Sequence, residues 1–423
     1  MQPSSPQTSS RTLNRKDTWE SFRSLCMTHK VTSVEHASPG SRAGAAPQTR
    51  LRLAVVWTEV PAYLLACLTT LVSSESVDLM VISDLPPRPA GKTKHFDASL
   101  FSWIPQYHCV TDPSARQRGR LMCNLLAQFK PDVVLLAFQW RGLESYRVAA
   151  QAKKLGALLI GTMDNAWKGS LRQRCFSAVY RTMRMLPLDA LWVPGDGAAT
   201  YGRRLFGSRI PIWKGLYCAD DSLFCAAYKA RQQSCASSPA KSFLYVGRFS
   251  EEKGLCDLIS AYRAYSAAVS APCKLVCVGA GPERERLLGV PGVEVKPFAQ
   301  PQEVARIMEA ASVFVLPSHF EPWGVVLHEA ALAGLAVICT NECGASSQFV
   351  RDGVNGFTYR AGNVQELTER LMTMHSKSDE IDSFAAHSAA LGSTLTTHIW
   401  ADQFIANIGA LRNRSFRYQT GAM

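Results

Sequence analysis

No apolar run among the 423 residues reaches the roughly 20 positions that a bilayer-crossing helix needs, so no transmembrane segment is expected. The N-terminus also lacks the apolar stretch of a secretory signal. The thirteen cysteines are odd in number, scatter through apolar stretches and form no CxxC pair, which argues against a disulfide framework. These absences point to a reducing cytoplasm. Cys339 and Cys343 have three residues between them and no histidine or cysteine cluster beside them, so they read as small core residues and no metal is expected.

Charge is scarce as well, 19% of residues against 47% apolar, the balance of a packed globular protein. The net charge of +12 lies wholly before residue 226, because Lys and Arg balance Asp and Glu in 226–423. That half should face something anionic. Nucleic acid is not the expected partner: no recognised binding motif is present, and the arginines are not arranged with stacking aromatics.

The length suits two domains of roughly 150 to 200 residues. Residues 1–48 are rich in Ser, Thr, Gln, Pro and Arg without apolar period, and read as a disordered arm. Short runs of Val, Leu and Ile then recur between helical stretches: Leu51–Trp57, Asp78–Ile82, Asp132–Ala137, Ala157–Thr162 and Asp189–Val193. Fully buried parallel strands look like this. The chain turns polar over Ala226–Lys241, read as a linker, and the strand pattern restarts with Phe243–Val246, Leu275–Val278, Val313–Leu316 and Ala336–Cys339. The expected fold class is therefore α/β, with two Rossmann-like, doubly wound domains at 49–225 and 226–400. Their strand ends would line an interdomain cleft, where such sheets bind ligands. A helical apolar pattern over His398–Arg412 places a C-terminal helix in 401–423.

Three strand-to-helix junctions carry the chemistry. In Gly247-Arg248-Phe249-Ser250-Glu251-Glu252-Lys253-Gly254, a glycine at a strand's end admits close backbone approach, and Arg248 with Lys253 sets two cations where a diphosphate would lie. Equally, this can be a solvated turn with a salt bridge to Glu251 or Glu252. Val278-Gly279-Ala280-Gly281-Pro282-Glu283 is again a strand entering Gly-rich backbone, either beside a base or ribose or as a plain tight turn. In the third, Ser318-His319-Phe320-Glu321-Pro322-Trp323-Gly324-Val325-Val326-Leu327-His328-Glu329, Pro322 and Gly324 put Glu321 in a loop and Glu329 in the following helix. Backbone N–H groups of about residues 323–326 then form a helix N-terminus suited to phosphate. Carboxylates beside a phosphate are costly unless they bind hydroxyls, so a nucleotide sugar satisfies both.

In order and spacing these elements resemble the retaining family-4 (group 1) glycosyltransferases of GT-B fold. Glu321 and Glu329 match the family's E-x7-E, GRFSEEKG its GRL-x-x-EKG, and VGAGPERERL its VG-x-GP-x-x-x-x-L. LPSHFEPWGVVLHEAALAGLAVI and CGASSQFVRDGVNGF continue the likeness, which covers about residues 189–375. The resemblance implies a metal-independent hexosyltransferase with no cofactor beyond its nucleotide-sugar donor, UDP- or GDP-linked. It further implies a cell-envelope, polysaccharide or lipid-linked carbohydrate acceptor and a last helix that crosses back to the first domain. Arg248 and Lys253 would hold the diphosphate, and with Glu321 they would be the catalytic set. The donor would be bound by Gly247, Gly279, Glu321, Pro322, Trp323, Gly324, Val325 and Glu329 besides the two cations, with the ribose on Glu329 and the sugar pocket shaped by His319 and Trp323. Two rivals remain: a nucleotide-sugar epimerase of the same fold, and a catalytically silent nucleotide-sugar-binding protein.

Before residue 189 the likeness thins. Trp57-Thr58-Glu59-Val60-Pro61 stands where a Gly-rich loop is common, and Asp164 occupies the region where many members have a histidine. Asp164 either binds an acceptor or donor hydroxyl or caps the next helix. Over Trp167–Pro187 five cations, Lys168, Arg172, Arg174, Arg181 and Arg184, interleave with Phe176, Val179, Tyr180 and Met183, with no acid. As a helix this segment would suit an anionic membrane surface or a phosphorylated lipid-linked acceptor, giving a cytoplasmic protein with peripheral contact on the inner face, or it packs its apolar face on the sheet and leaves the arginines solvated.

Overall fold

In the computed structural model the described residues are 50–73, 77–83, 101–111, 114–137, 142–183, 186–233 and 242–420. The arm expected over 1–48, residues 234–241 of the expected linker and Arg184 lie outside them. The chain folds into two parallel sheets. The first has strands β1 (Leu51–Trp57), β2 (Val77–Ser83), β3 (Gln106–Cys109), β4 (Val133–Ala137), β5 (Leu158–Thr162), β6 (Ala190–Trp192) and β7 (Ile212–Trp213), in the order β3-β2-β1-β4-β5-β6-β7. In the second, β8 (Ser242–Val246), β9 (Lys274–Val278), β10 (Val293–Lys296), β11 (Val313–Leu316), β12 (Ala336–Thr340) and β13 (Gly356–Tyr359) run in the order β10-β9-β8-β11-β12-β13.

Helices on both faces bury the central strands completely. Val133–Leu136 and Ala336–Thr340, for example, have no face left to solvent. The four strands without a counterpart among the apolar runs, β3, β7, β10 and β13, are the four sheet edges. Each has two to four residues and none is buried along its whole length, so none leaves a continuous apolar run in the sequence.

Residues 226–233 correct the linker reading, because they finish a helix, Asp221–Gln233. Phe224 and Ala227 of that helix are buried, and Arg231 donates to the carbonyls of Ala311 (2.8 Å) and Gly334 (2.5 Å) in the second lobe. Its polar composition is that of a helix with a narrow buried stripe.

The last helix, Thr397–Thr420, packs against Ala62–Ser73 of the first lobe. Its first N–H bonds Asp221 Oδ1, its Trp400 stacks on Trp192 of β6 at 4.7 Å, and the Trp400 indole donates to the Leu216 carbonyl. With Phe404 also stacked on Trp192, each such pair contributes about 0.5–1.5 kcal/mol beyond its buried area. Two further contacts join the lobes. His328 Nδ1 accepts from the Ala219 N–H at 3.1 Å, while Nε2 faces the Gly392 carbonyl. Burial pushes this imidazole down to about 4, so it stays neutral, with Nε2 carrying the proton. Trp323 fills the space over Gly195, where an added Cβ would stand 2.4 Å from the indole. Among the described residues no helix is long and apolar enough to cross a membrane.

Candidate functional site: a cleft at the strand ends of the second sheet

In the second sheet β8 comes first in sequence yet sits between β9 and β11, so the crossovers diverge between β8 and β11. A doubly wound sheet opens a crevice at this reversal. A cavity of about 350 Å³ occupies it, walled by the loops that follow β8, β9, β10 and β11.

Local backbone geometry explains why these loops are glycine-rich. A Cβ on Gly279 would lie 1.9 Å from the Gly247 carbonyl oxygen, and one on Gly281 would lie 2.2 Å from that of Phe249. The loops are laced together by Gly247 N–H to Val278 O and Phe249 N–H to Ala280 O, both 3.0 Å. The GxG spacing thus serves loop-to-loop contact first, and only Gly279 of the pair lines the cavity. Gly324 has φ +88°, a conformation costly for other residues, and immediately precedes the helix Val325–Leu332. That helix turns its positive end toward the cavity, which Gly324, Val325 and Val326 line.

The charged groups divide into two pairs. Lys253 Nζ lies 2.5 Å from Glu321 Oε2, each side chain 13% exposed, so the pair is nearly withdrawn from bulk water. Arg248 bonds Glu252 at 3.1 Å and is largely exposed, so the solvated salt bridge considered for this turn exists and leaves the guanidinium free to swing. Tyr245 donates to the Arg248 carbonyl at 2.7 Å and fixes the turn. Glu329 also lines the cavity and makes no side-chain hydrogen bond to another described residue. Burial first, and then the Asp220 carboxylate, push its carboxyl up to about 7.

Of the residues singled out in the sequence, Gly247, Arg248, Lys253, Gly279, Glu321, Gly324, Val325 and Glu329 come together around this cavity. Four others do not line it. The Pro322 carbonyl is pressed against Gly344, and the Trp323 ring is buried on Gly195. His319 Nε2 pairs with Asp257 at 2.6 Å. Asp164 accepts from the Tyr217 hydroxyl at 3.4 Å in the first lobe. Tyr245, Phe298, Ala299, Pro301 and Val304 also line it and were not singled out as site residues, four of them because they follow the unpatterned edge strand β10. One contact crosses the cleft beside the site: Lys168 of the first lobe lies 3.1 Å above the Phe320 ring, next to Glu321.

Comparison with known proteins agrees with this geometry. Residues 240–377 match the family described as Glycosyl transferases group 1. Among curated proteins, the 2-deoxystreptamine N-acetyl-D-glucosaminyltransferase of Niallia circulans is 27% identical over 155 residues, 35% of this chain and 39% of that one. The sulfoquinovosyl transferase of Arabidopsis thaliana is 26% identical over 272 residues, 59% of this chain and 51% of that one. The matched stretches thus span about two fifths to half of these relatives' length. Among solved structures, a glycosyltransferase from Rickettsia africae superposes with a TM-score of 0.64 at 13% identity, over 86% of this chain and 98% of that one. HepE of Anabaena, solved with UDP and glucose, gives 0.63 at 16% identity, over 85% and 100%. The chain resembles the group 1 glycosyltransferases, matching that family's model over residues 240–377, and its fold is GT-B.

Proposed function

We propose that this protein is a retaining, metal-independent glycosyltransferase that moves a hexose from a UDP- or GDP-linked donor to a carbohydrate or lipid-linked acceptor. The observation that carries the reading is the cavity at the β8/β11 reversal. It combines a cation pair, a helix N-terminus and two carboxylates within one crevice, a set complementary to a sugar joined to a diphosphate. Lys253, with Arg248 swung in from Glu252, faces the diphosphate and stabilises the charge that develops on it as the glycosidic bond breaks, helped by the helix end at Val325. Glu321 shares Lys253 and takes sugar hydroxyls. Glu329 takes the ribose. Departure of the diphosphate on the face where the acceptor hydroxyl arrives keeps the anomeric configuration, the leaving phosphate accepting the acceptor's proton.

The direct test is a thermal-shift panel of UDP, GDP and ADP with their hexose conjugates, on the wild type and on Glu329→Ala. A donor at 100 times its dissociation constant adds about 2.7 kcal/mol, a clear rise in melting temperature. One nucleotide sugar should stabilise the wild type and fail on the variant. A panel without any response removes the transferase reading, and a response without turnover on any acceptor favours the silent binder.

The acceptor side includes an anionic membrane surface in this proposal. On the helix Leu171–Met183, Phe176 and Tyr180 turn inward, and Tyr180 packs edge-on against Phe206. Leu171 and Val179 stay exposed, 79% and 50%, beside the exposed Arg172, Arg174 and Arg181. Apolar tips ringed by arginines suit anionic headgroups. Flotation with anionic vesicles should carry the protein at low salt, and Leu171→Glu with Val179→Glu should release it. Absence of flotation at low salt excludes the membrane as partner.

A further inference from the structure

A second cavity, of about 310 Å³, shares Glu329 and Pro301 with the first. Both lobes wall it. Tyr63, Ala66 and Thr69 of the helix Ala62–Ser73 and Trp103 come from the first, and Asp220, Phe224 and Gln302 join from the other side. Its volume lies at the lower end of the roughly 300–1,000 Å³ of small-molecule sites, room for a small ring compound rather than a polymer.

The lining is selective. Three aromatic rings, two carboxylates and one carboxamide face it, and no lysine, arginine or histidine is among the lining residues. An anionic ligand would meet only like charge. A wholly apolar one would strip water from Asp220 and Glu329 without replacing its hydrogen bonds, which is costly. Both requirements are met by a ring with an apolar C–H face and hydroxyl or ammonium groups at its edge. Tyr63 is held for stacking by the edge-on ring of Tyr217, centroids 5.2 Å apart. Asp220 spends Oδ1 on Ser222 Oγ (2.6 Å) and the Leu223 N–H (3.2 Å), and no bond to Oδ2 is present among the described residues. Glu329 makes no side-chain hydrogen bond to a described residue, so both acids retain accepting capacity.

We propose that this cavity is a saccharide subsite, adjoining the donor cavity at Glu329 and Pro301, that takes a neutral or amino-bearing pyranose ring on Trp103 and Tyr63 with its edge groups on Asp220. It rests on the transferase reading only in assigning the neighbouring cavity to the donor. The test is saturation-transfer NMR of D-glucose, D-glucosamine and D-glucuronate on the full chain, on Trp103→Ala and on Asp220→Asn, with UDP and GDP titrated into the first two. The asparagine keeps the helix cap and removes only the charge. Glucose or glucosamine should bind, and glucuronate should be at least about tenfold weaker. Trp103→Ala should weaken the sugar about tenfold while leaving nucleotide affinity unchanged, which also shows that the variant is folded. Asp220→Asn should weaken glucosamine more than glucose. The proposal is overturned if neither sugar binds the wild type, if Trp103→Ala binds sugar as the wild type does, or if glucuronate binds as well as glucose. Sugar binding with the expected variant pattern but without nucleotide binding would leave this subsite standing and remove the donor assignment instead.

Discussion

On the proposed mechanism, Lys253→Ala should lower kcat for sugar transfer by about 10²- to 10³-fold at saturating donor, the loss expected when one preorganised donor to a developing negative charge is removed. Lys253 is the cation best placed for that role. Its side chain is 13% exposed and its ammonium is held at 2.5 Å by Glu321, whereas Arg248 is exposed and tied to Glu252 in solvent. A point charge near the leaving diphosphate acts more strongly in this low-dielectric setting than at the surface. The same substitution also strands the Glu321 carboxylate without its cation, so part of any effect is structural. Breaking a fully buried pair costs about 3–5 kcal/mol, and this pair, open to a cavity, sits below that range. The double variant Lys253→Ala, Glu321→Gln separates the two effects, because it removes the stranded charge and should regain melting temperature without regaining turnover. Steady-state kinetics and melting curves on the four proteins of the cycle decide the matter. Turnover that survives in Lys253→Ala, with only the melting temperature lowered, assigns the pair to structure.

How far the sequence reveals this molecule depends on where periodicity or close packing leaves a trace. Central strands such as Leu51–Trp57 and Val313–Leu316 are buried on both faces and write themselves as unbroken apolar runs. Edge strands carry no such mark, and Val293–Lys296 shows the consequence: Phe298, Ala299 and Pro301, which follow it, wall the cavity at the β8/β11 reversal unannounced. The helix Asp221–Gln233 hides for a related reason, since its polar run conceals a stripe of two buried residues. At the candidate site, glycines and charges around strand-to-helix junctions single out Gly247, Arg248, Lys253, Glu321 and Glu329, which meet around one cavity. Residue type could not tell an aromatic aimed at a ligand from one used as a wedge between lobes. Trp323, buried over Gly195, is of the second kind. Its neighbour His319 is likewise engaged by Asp257, a partner 62 positions away that no local pattern reveals.

Glu329 should make both stability and donor affinity depend on pH, in opposite directions. Its carboxyl is raised from 4.5 to about 7 in the folded protein, by burial and by Asp220. The native state therefore holds this proton more tightly than the unfolded chain does. The resulting stability is fully present below the unfolded value of 4.5 and is lost as pH rises through about 7. At pH 8 the loss approaches an upper bound of about 3 kcal/mol, since each tenfold gain in proton affinity on folding corresponds to about 1.4 kcal/mol. Glu329→Gln cannot ionise, so the wild type should melt lower relative to the variant at pH 8 than at pH 5. Donor binding runs the other way. If the ribose hydroxyls bind the carboxylate, a site with pKa about 7 is about one tenth competent at pH 6 and about nine tenths at pH 8, so the apparent Kd tightens about tenfold across that interval. A nucleotide sugar is the right probe because its diphosphate diester does not titrate there, and in Glu329→Gln the affinity should be weaker and flat with pH. Melting curves at pH 5 and 8 and calorimetric titrations at pH 6, 7 and 8, on wild type and variant, read the two dependences. A wild-type affinity that stays flat while the stability difference still moves with pH would place the proton on Glu329 and the ribose elsewhere.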